Sequence, residues 1–279
     1  MLRYRDFAII IVAALTAALF LKAYVLDAVV IPSASMEETL LPGDFVLVNK
    51  LSVARALDGG AHSSMAFIPF LPHFFQRAIH TGDIVVFKFP THLKNTVLNE
   101  HDLLVKRVIG KSGDVVEIQK RKIWVNGEEA TRIAYDRNAG DYNASDDFFP
   151  PRSNYNFEHY GPIRVPRQGD ILELTKESFS EWENLIREEG HSVAWSDNNC
   201  ALIDGKPERV YVVKKNYFFV IGDNFYHSYD SRFWGFLPED DVIGQAAVVY
   251  WSLGSDSNTR SLRGFINSIR WDRIGRFIR

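Results

Sequence analysis

The chain has 279 residues, of which 46% are hydrophobic and 24% are charged. This length and hydrophobic content suffice for one large domain or two small domains with a buried core, so they exclude a chain that is disordered throughout. A single cysteine, Cys200, excludes an intramolecular disulfide. The eight histidines form neither an HExxH motif nor a Cys/His spacing typical of zinc sites, so we expect no metal and no cofactor.

The formal net charge of −3 is spread unevenly along the chain. The segment 258–279 carries six arginines and one aspartate, a net charge of +5, which leaves −8 for the rest. Its apolar residues alternate with the arginines at roughly helical spacing, which predicts a basic amphipathic tail. An anionic lipid surface and the acidic body of the protein itself are both suitable partners for such a tail.

The N-terminal segment 1–28 has the pattern of a transmembrane anchor. Arg3 and Arg5 precede an apolar stretch from Phe7 to Leu26, and a helix of about twenty residues spans the ~30 Å hydrocarbon core of a bilayer. A cleaved signal peptide is the alternative, but Leu21-Lys22-Ala23 is a poor small-x-small cleavage site. Because basic residues are retained on the cytoplasmic side, we expect a single-pass protein of the cytoplasmic (inner) membrane with most of the chain on the extracytoplasmic side.

Glycine–aspartate pairs recur at the start of β-like runs, and each pair indicates a turn that leads into a strand. The four pairs are Gly43-Asp44, Gly82-Asp83, Gly113-Asp114 and Gly169-Asp170. Asn126-Gly127 follows another β-like run and is a strong signal for a tight hairpin. The irregular spacing of these turns excludes a sequence repeat and predicts a mostly β fold built from antiparallel strands.

The predicted strands fall into two parts of the chain. Residues 29–120 and 211–257 are predicted to form a β-rich core, and residues 121–210 an inserted second lobe. Within this lobe, the segment from Glu177 to Glu189 predicts a short helix with one apolar face. The segment from Leu57 to Thr81 contains two prolines and several aromatic residues, so we expect a loop whose aromatic side chains pack in the core or rest on a bilayer.

Two serines lie two residues apart in Pro32-Ser33-Ala34-Ser35-Met36, where the apolar N-terminal segment meets the first β-like run. In an extended segment, side chains at positions i and i+2 share a face. Ser33 and Ser35 can then point at one bond, one attacking it and the other donating a hydrogen bond. A polar spacer after a membrane anchor has the same composition, so both interpretations stay open for this segment taken alone.

A serine hydroxyl needs a base to act as a nucleophile near neutral pH, and Lys106 is the best-placed candidate. No histidine lies in a motif-like setting, which disfavours a Ser/His/Asp triad. Lys106 and Arg107 interrupt an apolar strand and face opposite sides, one of which is the core. If Lys106 is the inward residue, desolvation lowers its pKa from about 10.4 by up to ~3–5 units and makes it a usable base. Two exposed strand charges are the alternative.

A third polar segment, 222–238, lies between two β-like runs and completes a series of motifs. The series is Pro-Ser-x-Ser-Met, Gly-Asp-Ile-Val-Val-Phe, Lys-Arg-Val-Ile-Gly-x-x-Gly-Asp, and Gly-Asp-Asn through Ser-x-Asp-Ser-Arg-x-Trp-Gly. Together with the apolar N-terminal segment, this series resembles the type I signal peptidases over about residues 7–255. That family consists of membrane-anchored Ser/Lys endopeptidases that remove signal peptides from exported preproteins through an acyl-enzyme intermediate.

The resemblance implies a role for each matching residue. Ser35 is similar to the family's nucleophile and Lys106 to its general base, while Ser33 and the Ser35 amide match the oxyanion hole. Ser228 matches the serine that orients the lysine amine. The resemblance also implies two structural ion pairs, Asp223 with Arg107 and Asp230 with Arg232. It implies shallow apolar pockets for the small residues of an Ala-x-Ala site, and our hypothesis is that Ile84, Val86 and Leu104 form their walls.

The chain departs from the family pattern at three places. Proline is usual where Glu38 and Ser112 stand, and Arg-Asp-Asn or a similar sequence is usual where Phe225-Tyr226-His227 stand. The last departure changes the loop that carries Ser228. For partners, the family implies preproteins that bear signal peptides, the lipid bilayer and the secretion translocon, with no nucleic acid and a monomeric state.

Two other functional classes stay open. A self-cleaving Ser/Lys peptidase of the SOS-repressor type shares the catalytic pairing, although the apolar N-terminal segment and the lack of a DNA-binding segment argue against it. An inactive, anchored β-domain that binds exported peptides has the same overall pattern. A Ser228 side chain far from Lys106 would favour this second class.

Overall fold

The computed structural model describes residues 4–52, 78–89, 103–130, 148–254 and 261–278. The chain divides into two compact units: the first comprises Met1–Ile31, Gly43–Ile79 and Ile243–Arg279, and the second comprises Pro32–Pro42 and His80–Val242. The aromatic segment 65–75, expected in the core or on a bilayer, lies outside the described residues. The predicted boundaries of the core, the inserted lobe and the tail stay predictions.

Short strands are the most numerous secondary-structure elements among the described residues. In chain order they are β1 Leu26–Val30, β2 Asp44–Asn49, β3 Ile84–Lys88, β4 Leu103–Lys111, β5 Val115–Gln119, β6 Lys122–Val125, β7 Glu128–Glu129, β8 His159–Arg164, β9 Ile171–Glu173, β10 Val193–Ser196, β11 Cys200–Ile203, β12 Lys206–Glu208, β13 Val210–Val212, β14 Tyr217–Ile221, β15 Leu237–Pro238, β16 Val242–Ser252 and β17 Arg276–Phe277. The helices are α1 Tyr4–Tyr24, α2 Phe179–Glu188, α3 Ser231–Trp234 and α4 Leu262–Ser268, and single 3₁₀ turns occupy Ala34–Met36, Lys50–Ser52, Glu239–Asp241 and Trp271–Arg273. Strand pairing within each unit is antiparallel, so the predicted class, mostly β with antiparallel sheets, is confirmed.

In the first unit, strand β2 lies between β1 and β16. Leu26 pairs with Asn49 and Val30 with Phe45 across the β1–β2 ladder. Alternate residues of β2 are buried, as expected for a strand with one face on a core. Val46 and Val48 are on this buried face and are fully shielded from solvent.

Helix α1 lies close to the position predicted from the apolar N-terminal stretch. Many of its large apolar side chains are exposed, including Ile9, Val12 and Leu19 at about two-thirds of their surface or slightly less. Within the described ranges, no helix is both long enough and apolar enough to cross a membrane. The predicted transmembrane anchor therefore stays a prediction.

The described residues of the C-terminal tail do not form one continuous helix, although the roughly helical spacing of its apolar residues is typical of an amphipathic helix. The described tail residues instead form the seven-residue helix α4, one 3₁₀ turn and strand β17, which adds to β16 through Val248 opposite Phe277. An ion pair between distant residues holds this arrangement: Arg273 is buried and its Nε donates to Oδ1 of the fully buried Asp44 at 3.0 Å. Of the two partners considered for the tail, the protein body holds these residues.

In the second unit, four strands run in the order β3–β4–β14–β15. Ile84 of β3 and Ile221 of β14 both stand opposite Arg107 of β4, so β4 is hydrogen-bonded on both sides. Three smaller sheets, β7–β6–β5–β8, β10–β11–β12 and β9–β13, belong to the same unit. One apolar core, including Ile109, Tyr160 and Phe219, is built from residues of these sheets and of α2.

The four predicted glycine–aspartate turns are confirmed. Each glycine has φ between 86° and 94°, a conformation that only glycine adopts without strain, and each aspartate is followed directly by strand or begins it. Three of the aspartates also close their own turn, because Asp83, Asp114 and Asp170 each accept a hydrogen bond from the backbone N–H three residues earlier. In these three turns, the aspartate after the glycine stabilises the turn by accepting this backbone hydrogen bond.

The predicted hairpin and the predicted lobe helix are also present. Asn126 and Gly127 have φ of 53° and 81°, as a type I′ turn requires, and they join β6 to β7. Helix α2 begins two residues later and ends one residue earlier than predicted, and it buries Leu185 and Ile186 on its apolar face.

Candidate active site

The two serines of the Pro32–Met36 segment lie at the start of a tight turn. Ser33 is extended, with φ −127° and ψ 161°, and Ala34–Met36 form a 3₁₀ turn rather than the extended segment that the sequence predicts. Met36 is buried and anchors the turn in the second unit. The two hydroxyls are nevertheless adjacent, with Ser33 Oγ 3.3 Å from Ser35 Oγ.

Lys106 lies in β4 and reaches the same turn. Its side chain is buried, with 3% of the residue exposed, and its Nζ is 2.6 Å from Ser35 Oγ. Because β4 has a paired strand on each side, the position of Lys106 is set by two hydrogen-bonded ladders. The structure thus brings together the two residues that sequence reasoning selected, although they are 71 positions apart.

Burial lowers the pKa of Lys106 from its ordinary value of 10.5 to about 8, because the charged amine is removed from water. The carboxylates of Asp230 and Asp223 oppose this effect by favouring the charged form, and the Arg232 guanidinium reinforces it. The net result is an amine that loses its proton within two pH units of neutrality.

Arg107 was expected on the face opposite Lys106, with only one of the two turned inward. The structure corrects this: both residues are buried, each with 3% exposed. The reason is that Arg107 is fully paired, since its Nε and Nη2 donate to the two oxygens of Asp223 at 2.7 and 2.6 Å. Asp223 also accepts from Thr39 Oγ1 at 2.5 Å, which ties the residues after the serine turn to the strand that carries Lys106.

The Asp230–Arg232 pair forms a second buried support. Arg232 donates to the two oxygens of Asp230 at 2.8 and 2.7 Å, and both side chains are completely buried. Asp230 also accepts from the N–H of Gly222 at 3.0 Å. The guanidinium lies over the Phe225 ring at 4.2 Å from its centroid, so this departure from the family pattern supplies an aromatic surface for the arginine.

The family model described as "Signal peptidase, peptidase S26" matches residues 4–251. The chain belongs to this signal peptidase family. A signal peptidase I of Aquifex aeolicus (strain VF5) is 32% identical over 240 residues, which cover 85% of this chain and 80% of that protein. A signal peptidase I of Buchnera aphidicola subsp. Schizaphis graminum (strain Sg) is 30% identical over 273 residues, which cover 91% of this chain and 76% of that protein.

Among solved structures, a signal peptidase I from Enterococcus faecalis V583 is 21% identical and covers 61% of this chain and 97% of its own, with a TM-score of 0.28. A TM-score at this level supports no conclusion about a shared fold. The family match by itself makes the chain a signal peptidase, a hydrolase of peptide bonds.

Ser228 does not make the contact that the signal peptidase pattern implies. Its Oγ is buried and has no hydrogen-bond partner among the described residues, so no bond joins it to Lys106. The hydroxyl packs against Gly222 instead, where a Cβ would come closer than 3.0 Å to it and to the carbonyl oxygen of Ser35. Position 222 therefore has room only for glycine. The Gly-Asp-Asn motif alone does not indicate this steric role.

The three pocket candidates of this signal peptidase differ in exposure. Ile84 and Val86 are buried, with 1% and 0% of their surface exposed, because β3 is covered on both faces. Leu104 is half-buried and is the only one of the three with surface available to a substrate. The expectation that Ile84 and Val86 form pocket walls is therefore not supported by their burial.

Sequence reasoning missed Asn224, which binds the serine turn directly. Its backbone N–H donates to the carbonyl of Ser35 and its side-chain Nδ2 donates to the carbonyl of Ala34, both at 3.1 Å. The signal was present, since an asparagine in a Gly-Asp-Asn motif between two strands is a typical loop-closing residue. Among the described residues, no group of three or more His, Cys, Asp or Glu is arranged to hold a metal ion.

Proposed function

We propose that this protein is a membrane-attached serine endopeptidase that removes N-terminal signal peptides from exported preproteins after small residues of the Ala-x-Ala type. Ser35 is the nucleophile and Lys106 the general base. The observation that carries the proposal is the 2.6 Å separation of Lys106 Nζ and Ser35 Oγ in a buried site that lowers the pKa of the amine to about 8. The names of the related proteins support the substrate class.

The lowered pKa matters because only the neutral amine accepts a proton. With a pKa of about 8, roughly a tenth of Lys106 is neutral at pH 7, whereas an amine with its ordinary value is neutral in only about 0.03% of molecules. Burial thus raises the population of competent base by about 300-fold.

The proposed reaction is acyl transfer. Neutral Lys106 takes the proton from Ser35 Oγ as this oxygen attacks the scissile carbonyl carbon, and the C=O electrons move onto the oxygen. The Ser35 N–H and the Ser33 hydroxyl donate to this oxyanion, a role supported by the 3.3 Å separation of the two hydroxyls. The C–N bond then breaks, and the protonated Lys106 gives its proton to the leaving amine.

Hydrolysis of the ester completes the cycle. Lys106, neutral again, takes a proton from water as the water oxygen attacks the acyl carbon. The C–O bond to Ser35 breaks and its oxygen recovers the proton from Lys106. Asp223 with Arg107 and Asp230 with Arg232 act as supports that hold the turn, the loop and the strand in place, since both pairs are bidentate and buried.

Attachment to the cytoplasmic membrane, with the catalytic unit on the extracytoplasmic side, is the second part of the proposal. It rests on the exposed apolar side chains of α1, which a bilayer would remove from water, and on the basic residues that precede them. Signal-peptide-bearing preproteins, the bilayer and the secretion translocon are the proposed partners of a monomeric enzyme.

The test is cleavage of a preprotein with an Ala-x-Ala site by the detergent-solubilised protein. The wild type should release the mature protein, and Ser35→Ala and Lys106→Met should leave essentially no activity. Lys111→Met is the matched control, because it removes a lysine from the same strand and should keep the wild-type rate. Equal cleavage by wild type and Ser35→Ala would rule out Ser35 as the nucleophile. No cleavage by the wild type would favour a peptide-binding domain, whereas cleavage of only the protein's own chain would indicate a self-cleaving peptidase.

A further inference from the structure

One buried residue, Asn224, binds the peptide groups on both sides of Ser35. Its side-chain Nδ2 donates to the carbonyl of Ala34, and its backbone N–H donates to the carbonyl of Ser35, each at 3.1 Å. Asn224 is 6% exposed, so both bonds are shielded from water. The carbonyl of Ala34 also accepts from the backbone N–H of Glu37 at 2.9 Å, within the 3₁₀ turn itself. Asn224 therefore adds to this turn two hydrogen bonds from the loop that follows β14.

The first of these bonds bears on the proposed oxyanion hole. The carbonyl of Ala34 and the N–H of Ser35 belong to the same peptide group, which is planar, and they point in opposite directions. Fixing the carbonyl oxygen of Ala34 therefore fixes the direction of the Ser35 N–H. A hydrogen bond accepted at the carbonyl also polarises the peptide group and makes its N–H a better donor.

The orientation of the Asn224 side-chain amide determines which hydrogen-bond partner its Oδ1 atom needs. A carbonyl oxygen only accepts, so the NH₂ group must face Ala34, and Oδ1 then faces the Nδ1 atom of His227, 3.1 Å away. Because Oδ1 is an acceptor, His227 must carry a hydrogen on Nδ1. The backbone N–H of His227 donates to the carbonyl of Asn224 at 3.0 Å and closes the same loop.

We propose that His227 is a positioning residue for the reaction: its Nδ1–H orients the Asn224 amide, which in turn aligns the Ser35 N–H with the developing oxyanion. This proposal rests on the proposed function of Ser35. It uses the imidazole as a hydrogen-bond donor, and both the Nδ1–H neutral tautomer and the imidazolium carry that hydrogen. The family pattern usually has asparagine at this position, and asparagine Nδ2 stands the same number of bonds from Cα as histidine Nδ1, so the donor is retained although the residue differs.

Loss of the His227 hydrogen bond is expected to lower kcat. The oxyanion exists only in the transition state and the tetrahedral intermediate, so a misaligned donor weakens their stabilisation without weakening the binding of the uncharged substrate. Loss of one neutral hydrogen bond that orients the amide should lower kcat about tenfold, with KM changed less than twofold.

Three variants separate the donor from the ring. His227→Phe keeps a ring without a donor and should lose about tenfold in kcat on an Ala-x-Ala preprotein, whereas His227→Asn keeps a donor without the ring and should recover at least half of the wild-type kcat. His159→Phe is the matched control, because it changes another exposed histidine of the second unit. It should behave as wild type. In all three variants the pH dependence of kcat should keep its wild-type midpoint, since the surroundings of Lys106 are unchanged.

Asn224→Asp provides a second, independent test. The substitution preserves shape but places a carboxylate oxygen, which cannot donate, against the carbonyl of Ala34. It should cost more than His227→Phe, up to the ~10²- to 10³-fold that loss of an oxyanion donor costs. Its melting temperature, measured alongside, shows whether the variant is folded.

Wild-type kcat in His227→Phe would overturn the proposal, and so would equal losses in His227→Phe and His227→Asn or a loss confined to KM. These outcomes are distinct from failure of the proposed function, which would appear as activity in Ser35→Ala.

Discussion

Replacing Lys106 by methionine should abolish cleavage and at the same time stabilise the protein at neutral pH. Lys106 is 3% exposed, so its charged form is poorly solvated in the folded state. Burial lowers its pKa from 10.5 to about 8, and each pKa unit corresponds to ~1.4 kcal/mol. The protonated amine therefore costs the folded state about 3 kcal/mol.

The number of protons bound by the folded and unfolded states determines how the free energy of unfolding changes with pH. Between about pH 8 and pH 10.5 the unfolded chain binds a proton at this lysine that the folded protein has released, so the free energy of unfolding rises with pH in this window. Below pH 8 both states are protonated and the full cost is present. Methionine fills a similar volume without a charge but gives up the hydrogen bond to Ser35, worth ~1 kcal/mol, which leaves a net gain of about 2 kcal/mol at pH 7.

The assay is urea unfolding of wild type and Lys106→Met, followed by tryptophan fluorescence at pH 7 and at pH 10. Lys111→Met should change the free energy of unfolding by less than about 0.5 kcal/mol and so controls for loss of a lysine from β4. The advantage of Lys106→Met should shrink by about 2–3 kcal/mol between the two pH values. A variant less stable than wild type at pH 7, or an advantage that does not change with pH, would refute the argument that burial of the amine controls its pKa.

Three further substitutions probe other parts of the structure. Ser33→Ala should lower kcat about 10²- to 10³-fold with little change in KM, measured on an Ala-x-Ala preprotein, because it removes one proposed oxyanion donor. Gly222→Ala should lower kcat at least 10²-fold, since its Cβ would overlap Ser228 Oγ and the Ser35 carbonyl, and near-normal kinetics would contradict this close approach. Arg273→Gln should lower the free energy of unfolding by about 3–5 kcal/mol, because it leaves the fully buried Asp44 carboxylate without its ion pair, and unchanged urea unfolding would count against the pairing.

Local signals account for what was predictable from the sequence. Each glycine–aspartate pair combines a residue that adopts positive φ with a side chain that closes the turn, so the strands after Gly82 and Gly113 were located from a few residues. The proximity of Ser35 and Lys106 was also expected, but only because the order of separated motifs resembled a known family. Local pattern alone left an exposed Lys106 open as an alternative.

What the sequence did not predict depends on contacts between distant residues. The burial of Arg107 requires Asp223, which is 116 positions away, and the tail strand β17 depends on the pairing of Arg273 with Asp44 across 229 positions. No local pattern reports such pairs. Asn224 was missed for the same reason, since its importance comes from two carbonyls of a turn that lies about 190 positions earlier.

The dependence of kcat/KM on pH tests the central claim most directly, because it reports the pKa of the base in the free enzyme. With Lys106 as the base, the rate on a preprotein substrate should rise with pH along a single limb whose midpoint lies near pH 8. A midpoint near 10.5, or a rate that is flat between pH 6 and pH 9, would contradict the account that a buried amine beside Ser35 starts the reaction.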